Sequence, residues 1–150
     1  MKSTHAISRE EHLAWFEGVV AKRGRVHWVV LLDGEPVGTV NISSIDRSTG
    51  RCEWGLYLGD DRARGTGAAL GASILSLDLA FGRHGISVAE CEVKPANARA
   101  IALYERLGFE PAGSRVSDGA HLLLYVMDSA RWAAVRGASV ERLRSRGAEF

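Results

Sequence analysis

Residues 58–68 read Leu58-Gly-Asp-Asp-Arg62-Ala-Arg64-Gly65-Thr66-Gly67-Ala68, and here residue type and spacing point most directly to chemistry. Gly65 and Gly67 let the backbone approach a ligand closely, and Arg62 and Arg64 add positive charge. The apolar periodicity that begins just beyond them marks the amino end of a helix. The first turn of a helix offers unpaired N–H groups and a partial positive charge, together an anion site. No acidic residue falls in that first turn, so the segment predicts a cradle for a pyrophosphate. A glycine-rich turn carrying two solvated arginines is the plainer alternative. Other phosphate motifs fit less well, because Leu70 stands where G-x-G-x-x-G needs its third glycine and no G-K-[ST] is present.

A second segment, Asn97-x-x-Ala100-x-x-x-Tyr104-Glu-Arg-Leu-Gly108-Phe109, follows about 30 residues later. Taken with Arg62-x-x-Gly65-x-Gly67, it resembles the GNAT acetyltransferase superfamily. The resemblance implies a mixed, mostly antiparallel sheet flanked by helices, an α/β (α+β) fold, with acetyl-CoA as cosubstrate and no metal. It implies that Arg62, Arg64, Gly65, Thr66, Gly67 and Ala68 hold the pyrophosphate, that Asn97 contacts the cofactor arm, and that Tyr104 stands near the thioester sulfur. Two strands splay apart in this family to admit the cofactor. By analogy, the strand at Leu56-Tyr57-Leu58 offers backbone N–H groups to the thioester carbonyl. The neutral amine then attacks directly and Tyr104 protonates the departing thiolate. A simple thiol has a pKa of roughly 8.5, so the acid need contribute little. Glu53 is the candidate base for the attacking ammonium, directly or through water. Tyr104 as ordinary core and Glu53 as a solvated strand residue are the structural alternatives. Trp28 and Trp54 read as packing residues, and Tyr57 either lines the acceptor pocket or packs.

Ser8-Arg-Glu-Glu-His12-Leu, Cys52-Glu53-Trp54-Gly55-Leu56-Tyr57, Leu79-Ala-Phe81 and Leu103-Tyr104 are similar to one branch, the UDP-4-amino-sugar N-acetyltransferases of pseudaminic acid biosynthesis. There the strand before the phosphate loop typically reads E-F-G-L-Y; Trp54 replaces the phenylalanine. This resemblance spans roughly residues 5–127 and implies the 4-amino group of a UDP-4-amino-4,6-dideoxy sugar as acceptor. Arg47, Arg51 and Lys94 are then candidate nucleotide contacts, with solvated surface charge as the other reading. Acetylation of a protein, ribosomal or small-molecule amine, and a non-catalytic acyl-CoA-binding module, are the competing readings. An acidic acceptor face would favour a peptide amine and a basic one a nucleotide sugar. That branch usually has a strand and helix before the point where this chain begins. Their absence predicts an acceptor pocket completed by a partner chain, or equally a truncated start, and an exposed edge at 26–32 suited to homodimer pairing.

These groups need elements to position them. Ser8 and Glu11 form a capping-box pattern before a helix at about 9–22, with Leu13, Phe16 and Val20 at helical spacing. Strands are expected at 26–32, 37–45 and 51–58, the first two joined by an Asp33-Gly34 turn. Residues 65–81 carry Leu70, Ile74, Leu77 and Phe81 on one helical face, ending near Gly82 or Gly85. A strand at 86–93 ends before Pro95. Asn97 caps a helix stopped by Gly108, and strands follow near 109–116 and 121–127. Residues 1–128 are expected to form the acetyltransferase domain and 129–150 a basic C-terminal extension, either a surface helix bearing Trp132, Val135, Val140 and Leu143 or a frayed tail.

The chain's 150 residues fit one domain, with 46% hydrophobic and 25% charged residues. A formal charge of +1 exerts no bulk pull toward nucleic acid or membrane, so any anion site must be local. No apolar run approaches the about 20 residues that span a bilayer, and the amino terminus lacks an apolar signal region, which points to the cytoplasm. Cys52 and Cys91 read as buried reduced thiols, and the five scattered histidines offer no metal-ligand spacing.

Overall fold

The computed structural model describes residues 8–21 and 24–147. The expected start at residues 1–5, the run of the first helix to 22 and the last residues of the extension, 148–150, lie outside the described residues. Helix α1 (Arg9–Val20) leads into strands β1 (Val26–Leu32), β2 (Glu35–Asp46) and β3 (Arg51–Leu58). Helix α2 (Ala68–Asp78), β4 (Val88–Val93), α3 (Ala98–Leu107), β5 (Glu110–Ser117), β6 (Ala120–Asp128) and α4 (Ser129–Arg144) follow. The Ser8 capping box forms as expected: the Ser8 N–H donates to Glu11 and the Glu11 N–H to Ser8 Oγ. The apolar face of α1 is less used than its spacing predicts. Leu13, Trp15 and Phe16 are about half exposed, and Trp15 meets the His27 ring edge-on at 6.2 Å.

Six strands form one sheet in the order β1-β2-β3-β4-β6-β5, and all neighbours are antiparallel except β3 and β4. Alternation along the strands divides its two faces. Val30, Val40, Ile42, Cys52, Trp54, Ala89, Cys91, Tyr125 and Met127 are buried on the face that carries α2 and α3. His27, Glu53 and Tyr57 point to the other face, where Trp15 places α1.

Helix α2 lies between the sheet and α4, and is buried on both sides, which explains its content of alanine, serine and glycine. Its buried polar groups are satisfied: Ser73 Oγ donates to the Ala69 carbonyl, and Ser76 Oγ accepts from Trp54 Nε1 at 2.9 Å. The helix is shorter than the 65–81 expected. Residues 65–67 form its glycine-rich approach, and past Asp78 the chain widens into a π-type turn at Leu79–Arg83.

Of the two readings offered for residues 129–150, the helix is the one that forms. Helix α4 starts with Asp128 accepting from the Arg131 N–H, and buries Trp132, Val140 and Leu143. It runs antiparallel to α2. Trp132 Nε1 donates to Asp78 at 2.9 Å and Arg136 grips the same carboxylate with Nε and Nη2, while Leu143 packs at the far end against Gly67. The Arg136–Asp78 pair is part exposed and worth little alone, but the indole N–H has no other partner among the described residues. Asp78→Ala is expected to cost about 1–3 kcal/mol and Arg136→Gln under about 1 kcal/mol, read from urea unfolding midpoints.

Candidate active site

The parallel contact between β3 and β4 is short. Only Arg51 and Val88, Cys52 and Ala89, and Glu53 and Glu90 face one another. Beyond Glu53, β3 stays paired to β2 as far as Leu58, and β4 stays paired to β6 as far as Val93. The facing edges of 54–58 and 91–93 therefore have no ladder partner among the described residues, and a fork opens in the middle of the sheet. Backbone groups along such an edge need an outside partner. Leu56, Tyr57 and Leu58 lie on this fork, with Leu56 and Leu58 turned toward the helices and Tyr57 exposed on the other face.

The phosphate loop follows directly. Gly65 (φ 72°) and Gly67 (φ 87°) both hold left-handed backbone. Gly67 is the N-cap of α2 and supplies no side-chain cap, and the first turn holds no acid. Thr66 Oγ1 accepts from the Ala68 N–H at 3.2 Å and donates to the Ala63 carbonyl. The remaining first-turn N–H groups are open to an external anion.

The two arginines are not free. Arg62 is clasped by Asp60, with Nε 2.9 Å from Oδ2 and Nη2 2.6 Å, and Arg64 meets Asp61 at 2.7 Å. The Arg62 side chain and N–H hold the Asp60 carboxyl below its ordinary range. Both arginines are well exposed, where solvent screening leaves such pairs weak, so an incoming phosphate can displace the aspartates at small cost.

Tyr104 and Glu53 flank the fork from opposite faces. Tyr104, on α3, is 7% exposed among the rings of Trp54, Phe109 and Tyr125, at centroid distances of 6.1, 5.6 and 5.6 Å. Burial first, and the neighbouring Cys91 second, push its pKa up, so the phenol keeps its proton through the neutral and mildly alkaline range. Glu53 is exposed on the other face, beside a bulge in β2 where Ser44 and Ile45 together oppose Cys52 and Ser44 takes φ 50°. Neither Glu53 nor the Tyr104 hydroxyl has a hydrogen bond or ion pair among the described residues. Arg51, by contrast, is engaged by Glu90, and Arg115 by Glu92. Asn97 accepts from the Ala100 N–H at 3.2 Å as the N-cap of α3, which leaves its side-chain NH2 available.

Both cysteines are buried and form no disulfide, and burial pushes the thiol pKa of Cys52 up to about 12 and that of Cys91 well above its ordinary range. Thiolate chemistry is closed to them. Among the described residues no cluster of His, Cys, Asp and Glu is arranged to hold a metal, and no helix is long and apolar enough to cross a membrane.

The structure thus brings the phosphate loop, the 56–58 edge, Asn97, Tyr104 and Glu53 around one fork. It leaves Arg47 and Lys94 without a carboxylate partner among the described residues, and neutralises Arg51. Sequence reasoning missed Leu143, which seats α4 on the phosphate loop: a Cβ at Gly67 would stand 3.0 Å from its Cδ1. The signal was present as the apolar spacing of Trp132, Val135, Val140 and Leu143, but spacing does not say what a helix packs on.

A family model for the acetyltransferase (GNAT) domain matches residues 1–110. Comparison with curated protein sequences returns no match. Among solved structures, an acetyltransferase from T. thermophilus is 26% identical over 93% of this chain and 77% of its own, with a TM-score of 0.78. Mycobacterium smegmatis RimJ, solved with CoA-disulfide, is 22% identical over 91% of this chain and 69% of its own, TM-score 0.79. The Vibrio cholerae spermidine N-acetyltransferase, solved with CoA and spermine, is 16% identical over 88% and 81%, TM-score 0.76. These last two are likenesses of fold.

Gly65 and Gly67 make a controlled comparison. A Cβ at Gly65 meets nothing within 4 Å, so Gly65→Ala is expected to cost only the left-handed strain, about 1–2 kcal/mol. Gly67→Ala adds the collision with Leu143 and should cost about 1 kcal/mol more in urea unfolding.

Proposed function

The chain belongs to the GNAT acetyltransferase family and is an acetyl-CoA-dependent N-acetyltransferase, and we propose that its acceptor is a cationic primary amine that reaches Glu53 from the face opposite the helices. The Glu53 carboxylate at the fork, without an ion pair or hydrogen bond among the described residues, carries this reading. The neighbouring strand positions add Glu90 and Glu92, and the arginines beside them, Arg51 and Arg115, are spent on those two carboxylates. The face is net negative and suits an ammonium better than a nucleotide diphosphate.

In this mechanism acetyl-CoA lies with its pyrophosphate on the open N–H groups of Gly65–Gly67, Ala69 and Leu70, joined by Arg62 and Arg64. Its arm enters the fork past Asn97, and its thioester carbonyl accepts from the free 56–58 edge. Glu53 takes a proton from the ammonium, the neutral amine attacks the carbonyl carbon, and the tetrahedral adduct expels the thiolate, which takes up the remaining extra proton of the nitrogen to leave the neutral amide. Tyr104 stands on the thiolate's side. Because its pKa lies above the roughly 8.5 of a thiol, the phenol gives a hydrogen bond readily and its proton reluctantly. Its contribution is therefore modest and that of Glu53 is the larger.

The similarity of residues 52–57 and 8–13 to the UDP-4-amino-sugar branch supports a second acceptor, the 4-amino group of such a sugar. Coenzyme A release from acetyl-CoA is the test, with polyamines, peptide amines and a UDP-4-amino-4,6-dideoxy sugar offered in parallel. Release with cationic amines alone is expected; release with the sugar alone selects the second acceptor, and no amine-dependent release overturns both. With the working acceptor, Glu53→Gln should lower kcat about 100-fold and Tyr104→Phe about 10-fold, with acetyl-CoA affinity within about twofold.

The free edge of β1 supports homodimer pairing as part of the same reading. Val29 and Leu31 are 64% and 60% exposed there, beside an apolar groove of about 610 Å³ between β1 and α2. Sedimentation should give a dimer that Val29→Lys converts to monomer, and a wild-type monomer at micromolar concentration would refute the pairing.

A further inference from the structure

We propose that the carboxyl end of α4 completes the cofactor site by binding the 3′-phosphate of acetyl-CoA in a cleft formed by Arg106, Arg142 and Arg146; this rests on the acetyl-CoA reading above. The cleft has a volume of about 410 Å³ and is lined by Leu70, Glu105, Arg106, Arg142, Ser145 and Arg146. Leu70 is three residues past the N-cap Gly67, so the cleft begins within one helical turn of the phosphate loop. In acetyl-CoA the 3′-phosphate is one ribose away from the pyrophosphate, so a cofactor seated on the loop has its second phosphate group at that range.

The charge of the cleft matches such a group. Arg51, Arg62, Arg64, Arg115, Arg131 and Arg136 each meet a carboxylate, whereas Arg106, Arg142 and Arg146 meet none among the described residues. Three guanidinium groups therefore face one carboxylate, Glu105, which is itself engaged at 3.4 Å by the Tyr125 hydroxyl. The cleft is also held in shape. Arg142 Nη1 donates to the Arg106 carbonyl at 2.5 Å, tying α4 to the last turn of α3, and Ser145 Oγ donates to the Arg142 carbonyl at 2.8 Å. Buried Leu143, between Arg142 and the turn carrying Arg146, sits on Gly67 and so fixes the cleft relative to the loop. A phosphomonoester dianion suits this set better than a carboxylate, because it offers three oxygens to several forked donors at once. Leu70, Glu105 and Arg106 fall within the 1–110 covered by the family model, whereas Arg142, Ser145 and Arg146 lie beyond it, in and just past α4.

The test compares acetyl-CoA with 3′-dephospho-acetyl-CoA by calorimetry on the full chain, for wild type, Arg142→Gln and Arg146→Gln. Wild type should bind acetyl-CoA roughly tenfold tighter, a preference that shrinks as salt rises. Each variant should bring the two ligands toward parity by weakening acetyl-CoA while leaving the dephospho form within about twofold. Arg142 also anchors α3, so Arg146→Gln, beyond the helix end, carries the test should Arg142→Gln unfold. Equal wild-type affinity for the two ligands overturns the proposal with the cofactor reading intact. So does a loss in Arg146→Gln that is the same for both ligands. Failure of wild type to bind either ligand overturns the cofactor reading along with it.

Discussion

Everything at the site depends on a ladder that is left unmade, that between β3 and β4 beyond Glu53. Each strand is committed elsewhere, β3 to β2 and β4 to β6, over the whole length in which the two could have met. Side-chain size accounts for where they part. At the joined end the helix-facing residues are Cys52 and Ala89, small enough for the strands to approach under α2. One position further on, Trp54 takes the same face and gathers Tyr104 and Phe109 around it. That ring cluster fills the space under the fork, so the opening has a packed apolar floor and does not collapse. The same rings bury Tyr104 and raise its pKa. One packing decision thus sets both the shape of the fork and the protonation of the Tyr104 phenol beside it.

The electrostatics of the fork follow a different logic on each side. On the cofactor side the arginines of the loop arrive already paired with Asp60 and Asp61, and the loop carries little net charge until an anion displaces them. In the proposed cofactor mode, attraction for phosphate there comes from the backbone N–H groups at the start of α2, where the first turn holds no acidic residue. On the acetyl-acceptor face proposed above the pairing falls the other way: among the described residues Glu90 and Glu92 have cations and Glu53 has none. A carboxylate without a partner is the one able to take up an incoming ammonium, because no existing pair has to be broken.

Most of the fold was legible in the sequence because its signals are local. Strands 26–32 and 51–58 coincide with β1 and β3, the Asp33-Gly34 turn and the Asn97 and Gly108 caps all form, and Tyr104 and Glu53 fall at the fork. What stayed hidden depends on tertiary neighbours. Spacing cannot show that Arg62 and Arg51 are held by carboxylates, because Asp60 is two residues away and Glu90 is 39. Nor can it show that the apolar residues of α1 stay half exposed while the few in α4 are buried. Leu13 and Phe16 have helical spacing as good as that of Trp132 and Leu143, but only the second pair meets a glycine notch and a hydrogen-bonding carboxylate.

That difference gives α4 a structural role in the site. It grips α2 at two points 11 residues apart on each helix, Asp78 by Trp132 and Gly67 by Leu143, which for a rise of about 1.5 Å per residue fixes the α2 axis over about 16 Å. The amino end of α2 is the anion site proposed above, so the aim of its N–H groups is set by a helix outside the 1–110 matched by the family model. The antiparallel arrangement favours the two helix dipoles but has a cost, since it brings the partial negative carboxyl end of α4 close to where phosphate binds. Arg142 and Arg144 in the last turn of α4, with Arg146 just past it, offset that charge at its source. A helix used as a splint at the proposed phosphate site from this direction needs a basic end, a requirement that the arginines of residues 142–146 meet.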